Sequence, residues 1–164
     1  MTVKNEIQAL IHKEAALLDQ TKLDDWLALY AEDGSYWIPM DENCNPLKDS
    51  SIIYDDIERL QMRVEQIMRQ HRVAQDPASQ TLRMISNIDI QAQEGAEEAS
   101  ATFAMLLMEM RSGDWRQRGL GNINHYPAHC SATFTKVNGE WKIKDKVIKL
   151  LNRHQPIFGL SFLM

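Results

Sequence analysis

The chain has 164 residues, 44% of them hydrophobic, and a formal net charge of −5. That is one ordinary globular domain, able to bury roughly 70% of its unfolded surface, and not a disordered, collagenous or coiled-coil chain. With 23 acidic side chains against 18 basic ones, it is not built for nonspecific binding to nucleic acid or to an anionic membrane surface.

The first apolar run is broken by Glu6, His12, Lys13 and Glu14, so it does not read as a secretory signal. No stretch approaches the roughly 20 apolar residues of a membrane helix. A soluble, cytoplasmic protein is expected. Cys44 and Cys130 lie far apart. Two reduced thiols are favoured over one long-range disulfide.

Ile7, Leu10, Ile11, Leu17 and Leu18 recur at helical spacing and predict an amphipathic helix over 4–19. Thr21 with Asp24 reads as a capping box opening a short second helix, with Leu23, Trp26, Leu27 and Tyr30 inward. Ala31 to Gly34 is expected to stop it, before a short strand over 35–40 and a loop over 41–50. Asp55 and Asp56 read as caps at the start of a third helix carrying Ile57, Leu60, Val64, Ile67, Met68 and His71.

From Thr81 the period changes to two. Leu82, Met84, Ser86, Ile88 and Ile90 are expected on one face of a strand. In the next strand Thr102 to Met110 alternate with Phe103, Met105, Leu107 and Glu109. A third strand sets Tyr126, Ala128, Cys130, Ala132 and Phe134 against His125, His129, Ser131, Thr133 and Thr135. Asn138-Gly139 is a hairpin turn, leading to Trp141, Ile143 and Val147 alternating with Lys142, Lys144 and Lys146. The methionines fall mostly at core periods. Helices followed by an antiparallel meander is an α+β plan, with the helices on one face of a curved sheet. The apolar segment 156–164 either closes the fold or docks on a partner. One domain over 1–164 is expected.

There is no phosphate-binding glycine loop and no nucleophile elbow. His125, His129 and Cys130 invite a metal reading, but four residues of strand span about 13 Å, too far for one ion unless a bulge at Pro127 intervenes. His71 reads first as a core-rim histidine. Arg111, Arg116 and Arg118 around Trp115 read as a solvated hairpin tip.

The ordered set Tyr30-Ala-Glu-Asp-Gly-Ser-Tyr-Trp-Ile-Pro39, Ser51-Ile-Ile-Tyr-Asp-Asp56, Arg63-Val-Glu65 and Gln75-Asp-Pro-Ala-Ser-Gln-Thr-Leu-Arg-Met-Ile-Ser-Asn87 resembles the small (beta) subunit of Rieske non-haem iron aromatic-ring-hydroxylating dioxygenases. Gly139-Glu-Trp-Lys-Ile143 and Leu160-Ser-Phe-Leu163 extend the likeness over most of the chain. The resemblance implies a cone-shaped, strongly curved, mostly antiparallel sheet with N-terminal helices packed on its concave side, as in nuclear transport factor two and scytalone dehydratase (a cystatin-like fold). It also implies self-association as a trimer and assembly with a large (alpha) subunit, three of each. The large subunit would carry the Rieske iron-sulfur cluster and the mononuclear iron, and this chain would be mainly structural. Tyr54, Asp55, Asp56, Asp76, Arg83, Trp115 and Phe162 are then the structural or subunit-interface candidates.

The residues agree on one point independently. A Rieske centre takes paired cysteines and histidines, and an oxygen-activating iron takes two histidines and a carboxylate; neither spacing is present. The stretch Asn122 to Cys130 departs from the charged strand usual in that family. It motivates a second reading, a small dehydratase or isomerase working alone in the cone. There His71, His125 or His129 would be the general base, with Tyr30, Tyr54 or an aspartate polarising a carbonyl. A pure ligand-binding module is not separable from this second reading by sequence.

Overall fold

The computed structural model describes residues 2–70, 77–111, 120–157, 160 and 162–164. Helix α1, Val3–Asp19, is capped by the Thr2 hydroxyl, which accepts from the Asn5 amide. It buries Ile7, Leu10, Ile11 and Leu18, the stripe its periodicity predicts. Helix α2 is Leu23–Leu27 and α3 is Ile57–Arg69. The strands are β1 Tyr30–Pro39, β2 Ser51–Asp56, β3 Gln80–Gln91, β4 Glu98–Met110, β5 Ile123–Val137 and β6 Glu140–Leu150. They form one sheet in the order β2-β1-β6-β5-β4-β3, antiparallel throughout except for the β1–β6 pair. The sheet is curved and open, and α1 packs across it on β3 and β6. This is the α+β arrangement the sequence predicts. Among the described residues no helix is long and apolar enough to cross a membrane.

Several local expectations are overturned. The Thr21–Asp24 capping box does not form: Lys22 is the N-cap without a side-chain bond, and Thr21 takes a left-handed φ of 56°. Ala31 to Gly34 does not end a helix but begins β1, and Tyr30 belongs to that strand. Gly34 is required there by close approach. A Cβ would lie 3.0 Å from the Ala31 carbonyl and 3.1 Å from that of Lys144, and neither backbone oxygen can yield.

Two bulges change which residues face inward. In β3 the register slips between Ser86 and Asp89, where Asn87 has a φ of 53°. Ile90 therefore points inward while Leu82 and Met84, expected on the same face, lie outside at 56% and 58% exposure, and Arg83 is buried instead. In β6 the slip opposite Thr133 and Phe134 turns Val147 outward and Lys146 inward. The methionines depart from the expectation too, since Met40, Met62, Met68, Met84 and Met110 are exposed. The strands β4 and β5 keep the predicted alternation without interruption, with the Phe103 and the Tyr126 sets turned inward. Asn138 and Gly139, both at positive φ, make the expected tight hairpin.

Candidate functional site

The concave side of the sheet is where a pocket would lie, and it is filled. Trp26, Tyr36, Ile38, Leu107, Ile148 and Met164 are all fully buried there. The C-terminal segment closes this space: Tyr36 Oη donates to the Met164 carbonyl at 3.0 Å and accepts from the Met164 amide at 2.9 Å. Phe162 packs edge-on against Tyr126, with ring centroids 5.7 Å apart. Of the two fates open to this segment, Leu163 and Met164 take the first and close the fold. What remains beside Arg83 and Leu163 is a cavity of about 30 Å³, room for about one water molecule.

Four polar clusters are set into this interior. Glu14, in the apolar stripe of α1, receives Lys146 Nζ at 2.7 Å, Trp26 Nε1 at 3.3 Å and Tyr30 Oη at 3.4 Å. Burial and the Glu14 carboxylate hold the Tyr30 phenol well above its ordinary pKa. Glu109, fully buried on β4, accepts from Ser79 Oγ at 2.7 Å and from Asn124 Nδ2 and Tyr126 Oη at 3.2 Å. Burial, then Glu109, push the Tyr126 phenol up to about 12. Arg83 donates to Asp19 and to the Leu163 carbonyl through short bonds and to Thr81 Oγ1 at 3.1 Å. Asp55 accepts a two-pronged contact from Arg63, at 2.6 and 3.1 Å.

The candidates named from sequence fall into separate places. Asp56 is the N-cap of α3, accepting from the Arg59 amide at 2.9 Å. Asp55 is not a second cap; it points the other way, into the interior. Tyr54 lies on the outer face, its ring edge-on to Trp37 at 6.5 Å. His125 and His129 are exposed on the outer face of β5, whereas Tyr30 is buried with Glu14. His125 and His129 therefore sit on the opposite face of the sheet from Tyr30, and Tyr54 lies on their side. His71, Asp76, Trp115, Arg116 and Arg118 lie outside the described residues.

Among the described residues the ligands of neither iron site are brought together. Cys44 is half-buried in the loop after β1 and Cys130 is buried inside, both as free thiols. His125 and His129 point to the other side of β5 from Cys130. Among the described residues no three histidine, cysteine, aspartate or glutamate side chains gather as a ligand set.

The reading from sequence passed over Glu14, Lys146, Asp19 and Tyr36. Glu14 left a signal, as an acid at an apolar position of a helix; Lys146 left none, because a bulge chose its face. The outer face carries shallow grooves, one of about 350 Å³ beside His129, Lys149 and Asn87. At its β3–β4–β5 end Leu82, Met84, Met110 and Ile123 are exposed around half-buried Leu106 and Met108.

A family model described as the ring hydroxylating beta subunit matches residues 13–155. The small oxygenase component of the p-cumate 2,3-dioxygenase system of Pseudomonas putida is 34% identical over 146 residues, 87% of this chain and 76% of that protein. Among solved structures, the beta subunit of the benzoate 1,2-dioxygenase of Burkholderia mallei superposes with a TM-score of 0.76 at 22% identity, over 99% of both chains. A nuclear transport factor two-like protein with a cystatin-like fold from Novosphingobium aromaticivorans gives 0.61 at 15% identity, over 91% of this chain and 82% of that one. The two structural likenesses show the fold.

Proposed function

The chain belongs to the ring hydroxylating beta subunit family, and from that premise we propose that it is the mainly structural small subunit of a dioxygenase that cis-dihydroxylates an aromatic ring. In this reading three copies associate as a trimer and join three large subunits in the cytoplasm, and the large subunits hold the Rieske cluster and the mononuclear iron. Aromatic acids of the kind named for the p-cumate and benzoate relatives are the substrate class.

The observation that carries the reading is the filled concave side. A chain acting alone on a small molecule needs a cavity of several hundred Å³ lined by converging polar groups. Here the cavity beside Arg83 and Leu163 measures about 30 Å³, and the buried carboxylates are already committed to Lys146, Arg83, Arg63 and Tyr126. Support also comes from the exposed apolar end of β3, β4 and β5, a surface suited to a chain that works inside an assembly. The dehydratase or isomerase reading finds no such support among the described residues, since His125, His129 and Tyr54 lie on the outer face of the sheet and only Tyr30 is buried inside.

Purification from the native host by a mild affinity tag tests the proposal, with mass, visible spectrum and iron measured on what accompanies the chain. A larger partner in equal amount with Rieske-type absorption and iron is expected. A colourless, iron-free homo-oligomer would overturn it.

A further inference from the structure

Residues 162–164 lie against the inner face of the sheet as a bound peptide lies in a receptor. Phe162, Leu163 and Met164 belong to no helix or strand, yet Leu163 and Met164 are 2% and 0% exposed. Backbone groups buried in an apolar interior need partners. Here side chains supply them: Tyr36 Oη holds both the amide and the carbonyl of Met164, and Arg83 Nη2 holds the carbonyl of Leu163. Side chains reading a short backbone, with the residues' own side chains in apolar pockets, is how an extended peptide is recognised.

Arg83 shows what else this site accepts. Its Nη1 is committed to Asp19 and Thr81. Its other edge, Nε with Nη2, faces the Leu163 carbonyl, which engages Nη2 alone; Nε has no partner among the described residues. That edge is the fork that binds a carboxylate by two parallel bonds. One carbonyl oxygen cannot satisfy it, and a carboxylate can. The Arg83 side chain is 1% exposed, so this is a built donor rather than a surface arginine. Beside it the 30 Å³ cavity is walled by Leu18, Leu23, Ile67 and Phe162.

We infer that the concave side of the sheet is a ligand-binding site occupied in cis by residues 162–164, and that when they leave it takes a small apolar molecule ending in a carboxylate. The apolar body replaces the Leu163 and Met164 side chains, and the carboxylate takes the Nε–Nη2 edge of Arg83. The inference goes beyond the subunit reading, which concerns the chain with residues 162–164 in place. Tethering keeps the effective concentration of residues 162–164 high. A free ligand therefore binds only to the fraction of molecules in which they have left, and its apparent affinity is lowered by that fraction.

Calorimetric titration of the full-length chain with 4-ethylbenzoate and with its neutral twin 4-ethylbenzyl alcohol tests this. The double variant Leu163→Ala/Met164→Ala empties the apolar pockets and leaves the chain at full length. It is expected to bind the acid at least about tenfold more tightly than wild type, to prefer the acid to the alcohol, and to release it to a synthetic peptide with the sequence of residues 160–164. A folded variant that gains no affinity for the acid, or binds acid and alcohol equally, overturns the inference. Should that variant not fold, Tyr36→Phe removes the hydroxyl that holds Met164 and keeps the ring. Titrated in the same way, this variant is expected to bind the acid at least about tenfold more tightly than wild type and to prefer it to the alcohol, and no gain in affinity overturns the inference.

Discussion

Lys146 Nζ lies 2.7 Å from Glu14 Oε1, with the two side chains only 2% and 4% exposed. The pair ties α1 to β6. A charge taken out of water costs several kcal/mol, so each of these residues is tolerable only because the other is present. Glu14 adds Trp26 and Tyr30 as donors on the same oxygen. The carboxylate thus fixes the start of β1 and the short helix before it against α1.

Breaking the pair from one side is expected to be expensive. Lys146→Met leaves Glu14 buried without its counter-charge and should cost about 3–5 kcal/mol in urea unfolding. Adding Glu14→Gln removes the orphaned charge and keeps an acceptor for Trp26 and Tyr30. The double variant should then be more stable than Lys146→Met alone. A double variant that falls below it would show that the two charges are not the coupled element.

Adjacent acids at the start of α3 do different work, and their variants should rank accordingly. Asp56 caps the helix through the Arg59 amide. Asp56→Asn keeps an equivalent oxygen and should be nearly neutral, while Asp56→Ala loses about 1 kcal/mol. Asp55 is 4% exposed and grips Arg63 by two bonds. Arg63, at 33% side-chain exposure, can turn to water once released, so Asp55→Ala should cost about 1–3 kcal/mol rather than the full penalty of a stranded ion. Thermal melts of the three variants check the order, and equal losses at Asp55 and Asp56 would refute it.

The sequence made most of this fold legible because its signals are periodic. Strands β4 and β5 run 13 and 15 residues without a slip in their alternation, and Glu109 shares the buried face with Phe103, Met105 and Leu107 as the period groups them. The misreadings cluster where geometry departs from the period. Strand alternation carries no notice of a bulge, so the slips at Asn87 and Lys144 exchanged Leu82 for Arg83 and Val147 for Lys146. Tyr30 to Gly34 reads as the end of a helix because glycine and two acids stop helices; only the carbonyls of Ala31 and Lys144 closing around Gly34 reveal a strand. The candidate site suffered more than the fold. Asp19, Arg83 and Leu163 meet across long sequence separations, and no local pattern announces such a meeting.

The outer end of β3 separates what holds the chain from what holds an assembly. Leu82 and Met84 are more than half exposed, so Leu82→Glu with Met84→Glu should change the chain's own stability by no more than about 0.5 kcal/mol per site. Two charges placed in an apolar contact with another chain are costly. In the small-subunit reading, co-purification of the partner or self-association should fall sharply while the melting temperature holds. Normal assembly by light scattering would remove this surface from the interface.

Alkali should unfold the chain through its interior thiol and phenols. Burial pushes Cys130 from its usual 9.0 up to about 12, and Tyr126 from 10.0 to about 12. Each group stays protonated in the folded chain at a pH where the unfolded chain has begun to ionise. Stability from this source is therefore fully present below about pH 9 and drains away as the pH rises toward 12. Cys130→Ala should flatten the first part of that decline, around pH 9, where the unfolded chain's thiol ionises ahead of its phenols. The same burial separates the two thiols chemically, because only the thiolate attacks a disulfide reagent. At pH 8 Cys44, half-buried in its loop, should react promptly with an aromatic disulfide, and Cys130 only after urea is added. Two thiols released at one rate from the native chain would mean that Cys130 is open to solvent and that the alkaline decline has another cause.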